Sequence, residues 1–489
     1  MAKRVAVIDI GSNSIRMVVF EKTSRFAFHL LHEAKSKVRI SQNAYQNGGN
    51  LQPAAMDRTF YALSDFLTVA ASFKVTKTLC VATSALRDAP NKAEFIQRVK
   101  KELHLNIKVI DGTKEAIFGA VACANLLPEQ ANALTIDIGG GSTEFALINQ
   151  KSVSNPISLD LGTVRLKELF FDTGKIDEAV TYIDTKLDLL ETLHPTTLIG
   201  IGGTFRAIAN ALILHTKYPL NKIHGYECGY KLFNQFIEDI LAADETKLKK
   251  LHIKTDRFDV IKPGALILQR VLKKLSSVSK LLSSGVGVRE GVYLSDLLRN
   301  SQCKLPQNYN TSVRYLLDSY VVEHNYANNL NRLSKELFDL THRHLEIHPL
   351  YRSALATAAK LSCIGTSIHF YSKNKHSYYL IQSAMEYGFT HKDIILIATL
   401  TRYAKGKFPP PAHRDRYASL LPDEKTLKAL CYLLSLTVAL LSHKPRNQDF
   451  GLRFDEGAIN ITTANKLYLT QEALAKLPKF KPLKVTIES

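Results

Sequence analysis

A six-residue pattern, Asp-Ile-Gly-x-x-Ser, occurs twice in this chain, at Asp9–Ser14 and at Asp137–Ser142. Apolar runs of strand character flank both copies, namely Val5–Ile8 and Ile15–Phe20 around the first and Ala133–Ile136 and Thr143–Ile148 around the second. No helical period follows either turn, which separates both copies from nucleotide-binding loops whose glycines open a helix. The pattern therefore predicts two β-hairpins with tight Gly/Ser turns.

Two such turns that face each other would suit a phosphate chain. Glycine lets the backbone come close to a ligand, and successive turn N–H groups can converge on an anion. The predicted phosphate contacts are Gly11, Ser12, Asn13 and Ser14 in the first turn and Gly139, Gly140, Gly141, Ser142 and Thr143 in the second. Asp9 and Asp137 can supply oxygen ligands for a hard cation. As an alternative, an Asp at this place can simply cap the turn.

The chain has 489 residues, which is too long for one hydrophobic core. In residues 1–126 the sequence signals for strands and helices alternate. Residues 127–300 begin with the same strand–turn–strand pattern as the first segment. We therefore predict two similar α/β halves with a cleft between them. Residues 311–489 predict a mainly helical third domain, whose tail contains a half-buried strand at Ala458–Thr462.

The composition favours anionic partners. The formal net charge is +19, and residues 301–489 contribute 25 Lys and Arg against 15 Asp and Glu, a net +10. A generally basic soluble surface is the alternative interpretation. The six cysteines form no C-x-x-C pair, which predicts reduced thiols. The longest apolar stretch, Ala429–Leu441, is too short to span a bilayer and is predicted to be a buried helix. We expect a cytoplasmic protein that binds no membrane, and no nucleic-acid motif is present.

Further motifs follow the first hairpin in order: Ala82–Arg87, Glu115-Ala116, Leu161–Leu166, Gly200–Thr204 and Arg289–Gly291. Together with the two hairpins, they resemble the exopolyphosphatase/guanosine pentaphosphate phosphatase family of the actin/Hsp70/sugar-kinase superfamily. The resemblance covers the first 300 residues. It implies two actin-like (ribonuclease H-like) domains that enclose a cleft, followed by a mainly α-helical C-terminal domain.

The same resemblance implies a phosphohydrolase. It would release the terminal phosphate from inorganic polyphosphate, from guanosine pentaphosphate, or from both, with Mg²⁺ as cofactor. Such hydrolysis needs donors and cations that hold the phosphoryl oxygens, a metal that neutralises charge, and a base that orients water. Glu115 and Glu144 are the acid/base candidates: by analogy Glu115 is the base, and Glu144 binds metal with Asp9 and Asp137 and assists in positioning. By the same analogy, Arg87 and Arg289 contact the polyanion.

Residue chemistry leaves alternatives open at several of these positions. Glu144 lies two residues past Ser142 on the outgoing strand, so it can face the same pocket as the turn. Glu115 lies in the first turn of an amphipathic helix predicted from Lys114 to about Leu127, where carboxylates also occur because they suit the helix dipole. Arg87 suits bidentate contact with phosphate, or it is a solvated surface residue.

The third domain resembles the family's helical domain that is related to His-Asp metal phosphohydrolases. This chain has Ser362-Cys363 where that pattern has His-Asp, and only His376 remains of a later His cluster. A metal site needs several converging ligands, so we expect no second active centre there, and instead an extended basic groove and support for a homodimer. The alternative functions are an actin-like ATPase or kinase and a non-catalytic polyanion binder.

Overall fold

The computed structural model describes residues 4–321 and 323–488. The chain divides into two compact units, of which the first ends at Tyr309 and the second begins at Asn310. The first unit is α/β with two sheets, and the second is mainly helical with one small sheet. This organisation confirms the predicted fold class. No helix among the described residues is both long and apolar enough to cross a bilayer.

A five-stranded sheet organises the first half of the first unit, in the order β3-β2-β1-β4-β5. Its strands are β1 (Arg4–Ile10), β2 (Ile15–Lys22), β3 (Phe28–Ser36), β4 (Lys77–Ala82) and β5 (Ile107–Val109). The first three are antiparallel, and β4 and β5 extend the sheet parallel to β1. The helices of this segment are α1 (Pro53–Ser72), α2 (Ser84–Arg87), α3 (Lys92–Leu103) and α4 (Gly112–Leu126).

A six-stranded sheet organises the second half, in the order β10-β11-β9-β6-β7-β8. Its strands are β6 (Gln130–Ile138), β7 (Thr143–Gln150), β8 (Ser152–Leu159), β9 (Thr197–Ile201), β10 (Glu227–Gly229) and β11 (Lys280–Ser283). Its helices are α5 (Thr163–Leu166), α6 (Ile176–Leu187), α7 (Gly202–His215), α8 (Tyr230–Ala242), α9 (Glu245–Lys250), α10 (Phe258–Lys274) and α11 (Val288–Leu297). The strands β8-β7-β6-β9-β11 have the same order and the same relative directions as β3-β2-β1-β4-β5 in the first sheet. This correspondence confirms the duplication.

Two helices are exchanged between the halves. Helix α4 packs on β7 and β8 of the second sheet, and its Cys123 belongs to the same core cluster as Ala146. Helix α11 instead packs on β1, and the ring of Tyr293 lies 4.6 Å from that of Phe20. The predicted boundaries, 1–126 and 127–300, follow chain order. They therefore place α4 in the first half and α11 in the second, although each helix packs on the sheet of the opposite half. Sequence order alone carries no information about which sheet a helix covers.

Helix α4 also differs from its prediction in its first residue and in how much of its surface is buried. It begins at Gly112 rather than Lys114, because the Asp111 carboxylate caps it by accepting from the Lys114 amide at 2.7 Å. The sequence predicts an amphipathic helix, yet residues 119–124 are all buried. The helix lies between α11 and the second sheet, so both of its long faces are covered.

The C-terminal unit is built around α18. Its helices are α12 (Thr311–Tyr320), α13 (His324–Thr341), α14 (Arg352–Leu361), α15 (Lys373–Ala384), α16 (His391–Tyr403), α17 (Pro411–Arg416), α18 (Glu424–Leu440) and α19 (Tyr468–Ala475). Helix α18 contains most of the apolar stretch predicted to be a buried helix, and Leu430 and Leu433 are fully buried. The predicted strand is β13 (Ala458–Thr462), which pairs with β12 (Gly451–Asp455) and β14 (Lys484–Glu488). Both partner strands also alternate apolar and polar residues, Leu452 and Phe454 in β12 and Val485 and Ile487 in β14, a pattern that the sequence analysis did not use.

Candidate active site

One cavity lies where the two hairpin turns of the first unit meet. The predicted site residues that line it are Asp9, Gly11, Ser12, Asn13, Ser14, Glu115, Asp137, Gly139, Gly140, Ser142 and Arg289. The remaining predicted residues, Arg87, Gly141, Thr143 and Glu144, lie outside the lining. Residues from strands, turns and helices of both halves therefore converge on one space.

The same hydrogen bond closes both turns. The Gly11 amide donates to the Ser14 carbonyl oxygen at 3.3 Å, and the Gly139 amide donates to the Ser142 carbonyl oxygen at 2.9 Å. A Cβ atom on Gly11 would lie 3.3 Å from the Ser14 oxygen, and one on Gly139 would lie 3.1 Å from the Ser142 oxygen. Glycine at the first turn position therefore lets each turn close tightly.

The carbonyl groups of both turns are bound from outside the hairpin. The Asn13 carbonyl accepts from the Arg39 amide at 3.1 Å, and the Gly140 carbonyl accepts from the Val164 amide at 2.8 Å. The amides of residues 12–14 and 140–142, by contrast, have no acceptor within the described part of the chain. These N–H groups remain available to an anion in the cavity.

The two turns contact each other across the cleft. A Cβ atom on Gly140 would lie 3.0 Å from Ser12 Cβ and 3.7 Å from the Asn13 nitrogen. Ser12 is itself tied to the first half, because its hydroxyl and that of Ser84 share a hydrogen bond of 3.0 Å. The glycine at position 140 thus sets how closely the two hairpin turns approach.

Asp9 and Asp137 occupy equivalent places at the ends of β1 and β6. Burial raises the pKa of both carboxyls, that of Asp137 to about 6. Both carboxylates line the cavity, which is the position that a cation ligand requires. Gly202, at φ +79°, allows the Asp137 carboxylate to come close, since a Cβ there would lie 2.2 Å from Asp137 Oδ1.

Glu115 and Glu144 form an electrostatically coupled pair. Burial, and next the Glu144 charge, raise the pKa of Glu115 well above its usual value. Burial also raises the pKa of Glu144 to about 8. Glu144 Oε1 accepts from the Ser158 hydroxyl at 2.8 Å. The Glu115 side chain is only 11% exposed, whereas a purely dipole-directed carboxylate would extend into solvent.

Arg87 lies behind Glu115 rather than in the cavity lining. Its Nη1 atom donates to Glu115 Oε2 at 3.2 Å, and its Nε atom donates to Asp88 at 3.3 Å. The side chain is 21% exposed, which is inconsistent with the alternative of a solvated surface residue. In this structure Arg87 contacts and orients the glutamate.

Thr143 and Gly141 make structural contacts instead of lining the cavity. The Thr143 hydroxyl donates to the Leu161 carbonyl oxygen at 2.5 Å, and the Gly141 carbonyl accepts from Arg165 Nε at 2.9 Å. The two contacts fasten the second hairpin to α5 and to the residues just before it.

Sequence reasoning missed most of the positive charge of the cavity. Its basic side chains are Arg16, Lys35, Arg206, Arg257 and Arg289, five against the three carboxylates of Asp9, Glu115 and Asp137. Burial, with repulsion from Arg289 and Arg206, lowers the pKa of Arg16 to about 10. Like charges held together out of water are destabilising unless an anion joins them.

Arg16 could have been found from the repeat. It follows Ser14 by two residues, as Glu144 follows Ser142, and it pairs across the strands with Asp9 as Glu144 pairs with Asp137. No comparable signal exists for Lys35, Arg206 or Arg257, because these residues come from segments far apart in the chain.

Comparisons with known proteins agree with this architecture. Residues 18–300 match the Ppx/GppA phosphatase family, and residues 309–477 match domain III of Ppx/GppA phosphatases. A curated relative, the bifunctional 3-dehydroquinate synthase/phosphatase of Fusobacterium nucleatum subsp. nucleatum, is 31% identical over 288 residues. That match covers 55% of this chain but only 43% of the relative, so the chain spans less than half of the relative's length.

Two solved structures are similar to the first unit. The Aquifex aeolicus member of the Ppx/GppA family is 28% identical, with a TM-score of 0.54, and the match covers 62% of this chain and 99% of that one. An exopolyphosphatase from Cytophaga hutchinsonii is 27% identical, with a TM-score of 0.57, and the match covers 62% of this chain and 100% of that one.

Proposed function

The chain belongs to the Ppx/GppA phosphatase family, and we propose that it hydrolyses the terminal phosphoanhydride of inorganic polyphosphate, of guanosine pentaphosphate, or of both. One observation carries this proposal. A buried glutamate of raised pKa, two buried aspartates, two turns with available amides and five basic side chains surround a single cavity. A polyanion end and an attacking water are the reactants that this combination fits.

Glu115 is the proposed general base. A carboxylate whose pKa is raised by burial is a better proton acceptor near neutral pH than an ordinary one. The Arg87 guanidinium holds Glu115 Oε2, so the carboxylate has one fixed partner and one oxygen free for water. The water gives its proton to Glu115 while its oxygen bonds to the terminal phosphorus. The anhydride P–O bond then breaks and releases phosphate and a shortened chain.

The two turns and the basic side chains hold the phosphoryl oxygens. The available amides at residues 12–14 and 140–142 can donate to the terminal phosphate from both halves. Arg16 and Arg289 can bind the oxygens as charged donors. Arg289 is fixed for this task, because its Nη1 atom lies 2.7 Å from Glu33 Oε1.

Asp9 and Asp137 are the proposed ligands of Mg²⁺. Both carboxylates face the cavity that holds the turn amides, and oxygen donors suit this hard cation. No group of three or more His, Cys, Asp or Glu within residues 4–321 and 323–488 could hold a metal unaided. Mg²⁺ commonly takes one or two carboxylates and completes its shell with substrate phosphate and water. When bound, it would neutralise charge on the phosphoryl oxygens.

The cavity continues into a second chamber that suits the rest of a polyanion. This chamber has a volume of about 590 Å³ and shares Arg16, Lys35, Arg206 and Arg257 with the first. Lys254 adds a further cation to its wall. A long polyphosphate and the second diphosphate of guanosine pentaphosphate both carry negative charge beyond the reacting phosphate, so the chamber supports either substrate.

Phosphate release tests the proposal. The purified 489-residue protein is incubated with Mg²⁺ and one substrate at a time, either polyphosphate, guanosine pentaphosphate or ATP, and the released phosphate is measured. We expect release from one or both of the first two substrates and its loss when EDTA removes the metal. Release from ATP alone would favour an actin-like ATPase, and release from none would favour a polyanion binder. Competition between the two leading substrates then ranks their catalytic efficiencies.

We also propose that the chain forms a homodimer, as its resemblance to the family implies. The C-terminal unit, which matches domain III of the family, is the proposed support for this assembly. Sedimentation velocity of the full-length protein tests the proposal, because a monomeric mass of 54.6 kDa across the working concentrations would contradict it.

A further inference from the structure

A separate pocket lies within the C-terminal unit and has a volume of about 750 Å³. Four segments converge on it: the turn after α13, the first turns of α18, the turn between β12 and β13, and the segment that leads into β14. Small-molecule sites typically enclose roughly 300–1,000 Å³. The proposed hydrolysis makes no use of this pocket.

Tertiary contacts fasten the walls of the pocket to one another. His344 Nε2 donates to the Pro482 carbonyl oxygen at 2.7 Å, and the ring centroid of His344 lies 5.3 Å from that of Phe454. Gly457, at φ +78°, completes the contact, since a Cβ atom there would lie 3.2 Å from His344 Cε1. The pocket is therefore a built feature and not a gap between loose loops.

The floor of the pocket is apolar and contains an aromatic ring. Phe480 is half-buried and stacks on Tyr432, with ring centroids 4.6 Å apart and an interplanar angle of 22°. Leu345 and Ala429 are buried beside it. A flat ring bound here would contact carbon atoms below and solvent above.

The rim of the pocket carries charges that are only partly neutralised. Lys425 pairs with Glu346, and Lys428 Nζ lies 2.6 Å from Glu424 Oε1. Two further lysines of the rim, Lys481 and Lys484, have no ion-pair partner among the described residues, and neither has the carboxylate of Glu456. The rim thus offers two cations for an anion and one acceptor for hydroxyl groups.

We propose that this pocket binds a nucleoside phosphate. Its base would lie on the Phe480 ring, its phosphates would bind Lys481 and Lys484, and its ribose hydroxyls would donate to Glu456, the contact that an acidic side chain makes with ribose in dinucleotide sites. A simple phosphate chain would leave the apolar floor unused, and a neutral apolar ligand would leave the two lysines without a partner. The site is independent of the proposed hydrolysis.

The absence of tryptophan from the chain provides a direct probe. Phe480→Trp places a single indole on the floor of the pocket, and its fluorescence is followed during titration with ADP and with GDP. We expect a saturable change with at least one of them. Adenosine alone and inorganic pyrophosphate alone should each bind at least about 10-fold more weakly, because each makes only part of the contacts.

The matched reporter is Tyr371→Trp, since Tyr371 is 74% exposed in the same unit and does not line the pocket. Its fluorescence should not respond, which separates the pocket from any nucleotide bound in the cavity of the first unit. Introducing Lys481→Glu and Lys484→Glu together should weaken binding by at least about 10-fold while the melting temperature is kept.

Equilibrium dialysis of the unlabelled wild-type protein covers the case in which the indole itself fills the pocket. The number of ADP or GDP molecules bound per chain should fall by one in the double lysine variant. A lost site supports the proposal even if the indole is silent. Unchanged stoichiometry and affinity in that variant would overturn it, as would pyrophosphate or adenosine binding as tightly as the nucleotide.

Discussion

The two hairpins of the first unit share one backbone turn, and over residues 9–16 and 137–144 they differ in charge at a single cross-strand pair. Asp9 pairs across the strands with Arg16, whereas Asp137 pairs with Glu144. Both hairpins provide an aspartate and a glycine turn, but the first adds a cation and the second adds an acid next to Glu115. The proposed function gives these two sides of the site different roles, a basic side that holds phosphate and an acidic side that moves a proton.

A substitution of Glu115, on the acidic side of the cavity, should reduce activity the most. Glu115→Gln keeps the shape of the side chain and its contact with Arg87 but removes the base. We expect kcat to fall by roughly 100-fold or more, the usual scale for loss of a general base. Phosphate release under saturating substrate measures this effect.

Glu94→Gln is the control for Glu115→Gln, because Glu94 also lies in the first turn of a helix but is exposed. It should keep the wild-type rate. Near-normal turnover in the Glu115 variant would remove the base assignment and leave Glu115 as a helix-dipole residue.

The basic side should act mainly on substrate affinity. Arg16→Gln removes a charged donor that we expect to bind the ground state and the transition state alike. KM should rise by about 10- to 100-fold with a smaller change in kcat, since a hydrogen bond to a charged group contributes roughly 1.5–3 kcal/mol.

Arg98→Gln is the control for Arg16→Gln, because Arg98 pairs with Asp57 outside the cavity. A fall in kcat with unchanged KM would contradict the division of roles.

The contact between the hairpins should have an intermediate effect. Gly140→Ala places a methyl group 3.0 Å from Ser12 Cβ and 3.3 Å from Val164 Cγ2, so the turns must separate slightly. The backbone at residue 140 is not in the left-handed region, so the substitution reports on spacing alone. We expect roughly a 10-fold fall in kcat/KM. Gly229→Ala, with open space around its Cβ, should leave the rate unchanged.

The pH dependence should show the smallest effect. A base must be deprotonated, so kcat/KM should rise with pH as Glu115 loses its proton, and burial, which raises the pKa of Glu115, places this rise above the pH at which an ordinary glutamate ionises. Glu144→Gln removes an ionisable carboxyl whose charge raises the pKa of Glu115, so the pKa of Glu115 should fall and the rise of kcat/KM should move to lower pH. If the pH profile of kcat/KM is the same in the Glu144 variant, the two carboxyls titrate independently.

The sequence was informative about the site wherever the signal was local or repeated. Both turns, both aspartates and Glu144 follow from one pattern of six residues and from strand alternation. Glu115 came from family resemblance, and its burial next to Glu144 appears only in the structure. Thr143 shows the limit of such reasoning, because its position in the motif gave no indication that its hydroxyl bonds to Leu161.

By itself the sequence determined the duplicated hairpins, the α/β class and the helical character of the C-terminal unit, since turn chemistry and hydrophobic period act over a few neighbouring residues. Only the tertiary structure decided that α4 and α11 are exchanged between the sheets, that Arg206 and Arg257 reach the same cavity as Arg16, and that a pocket forms around Phe480. These features depend on contacts between segments distant in the chain. Their energies are set by burial and by neighbouring charge, neither of which is encoded at a single position.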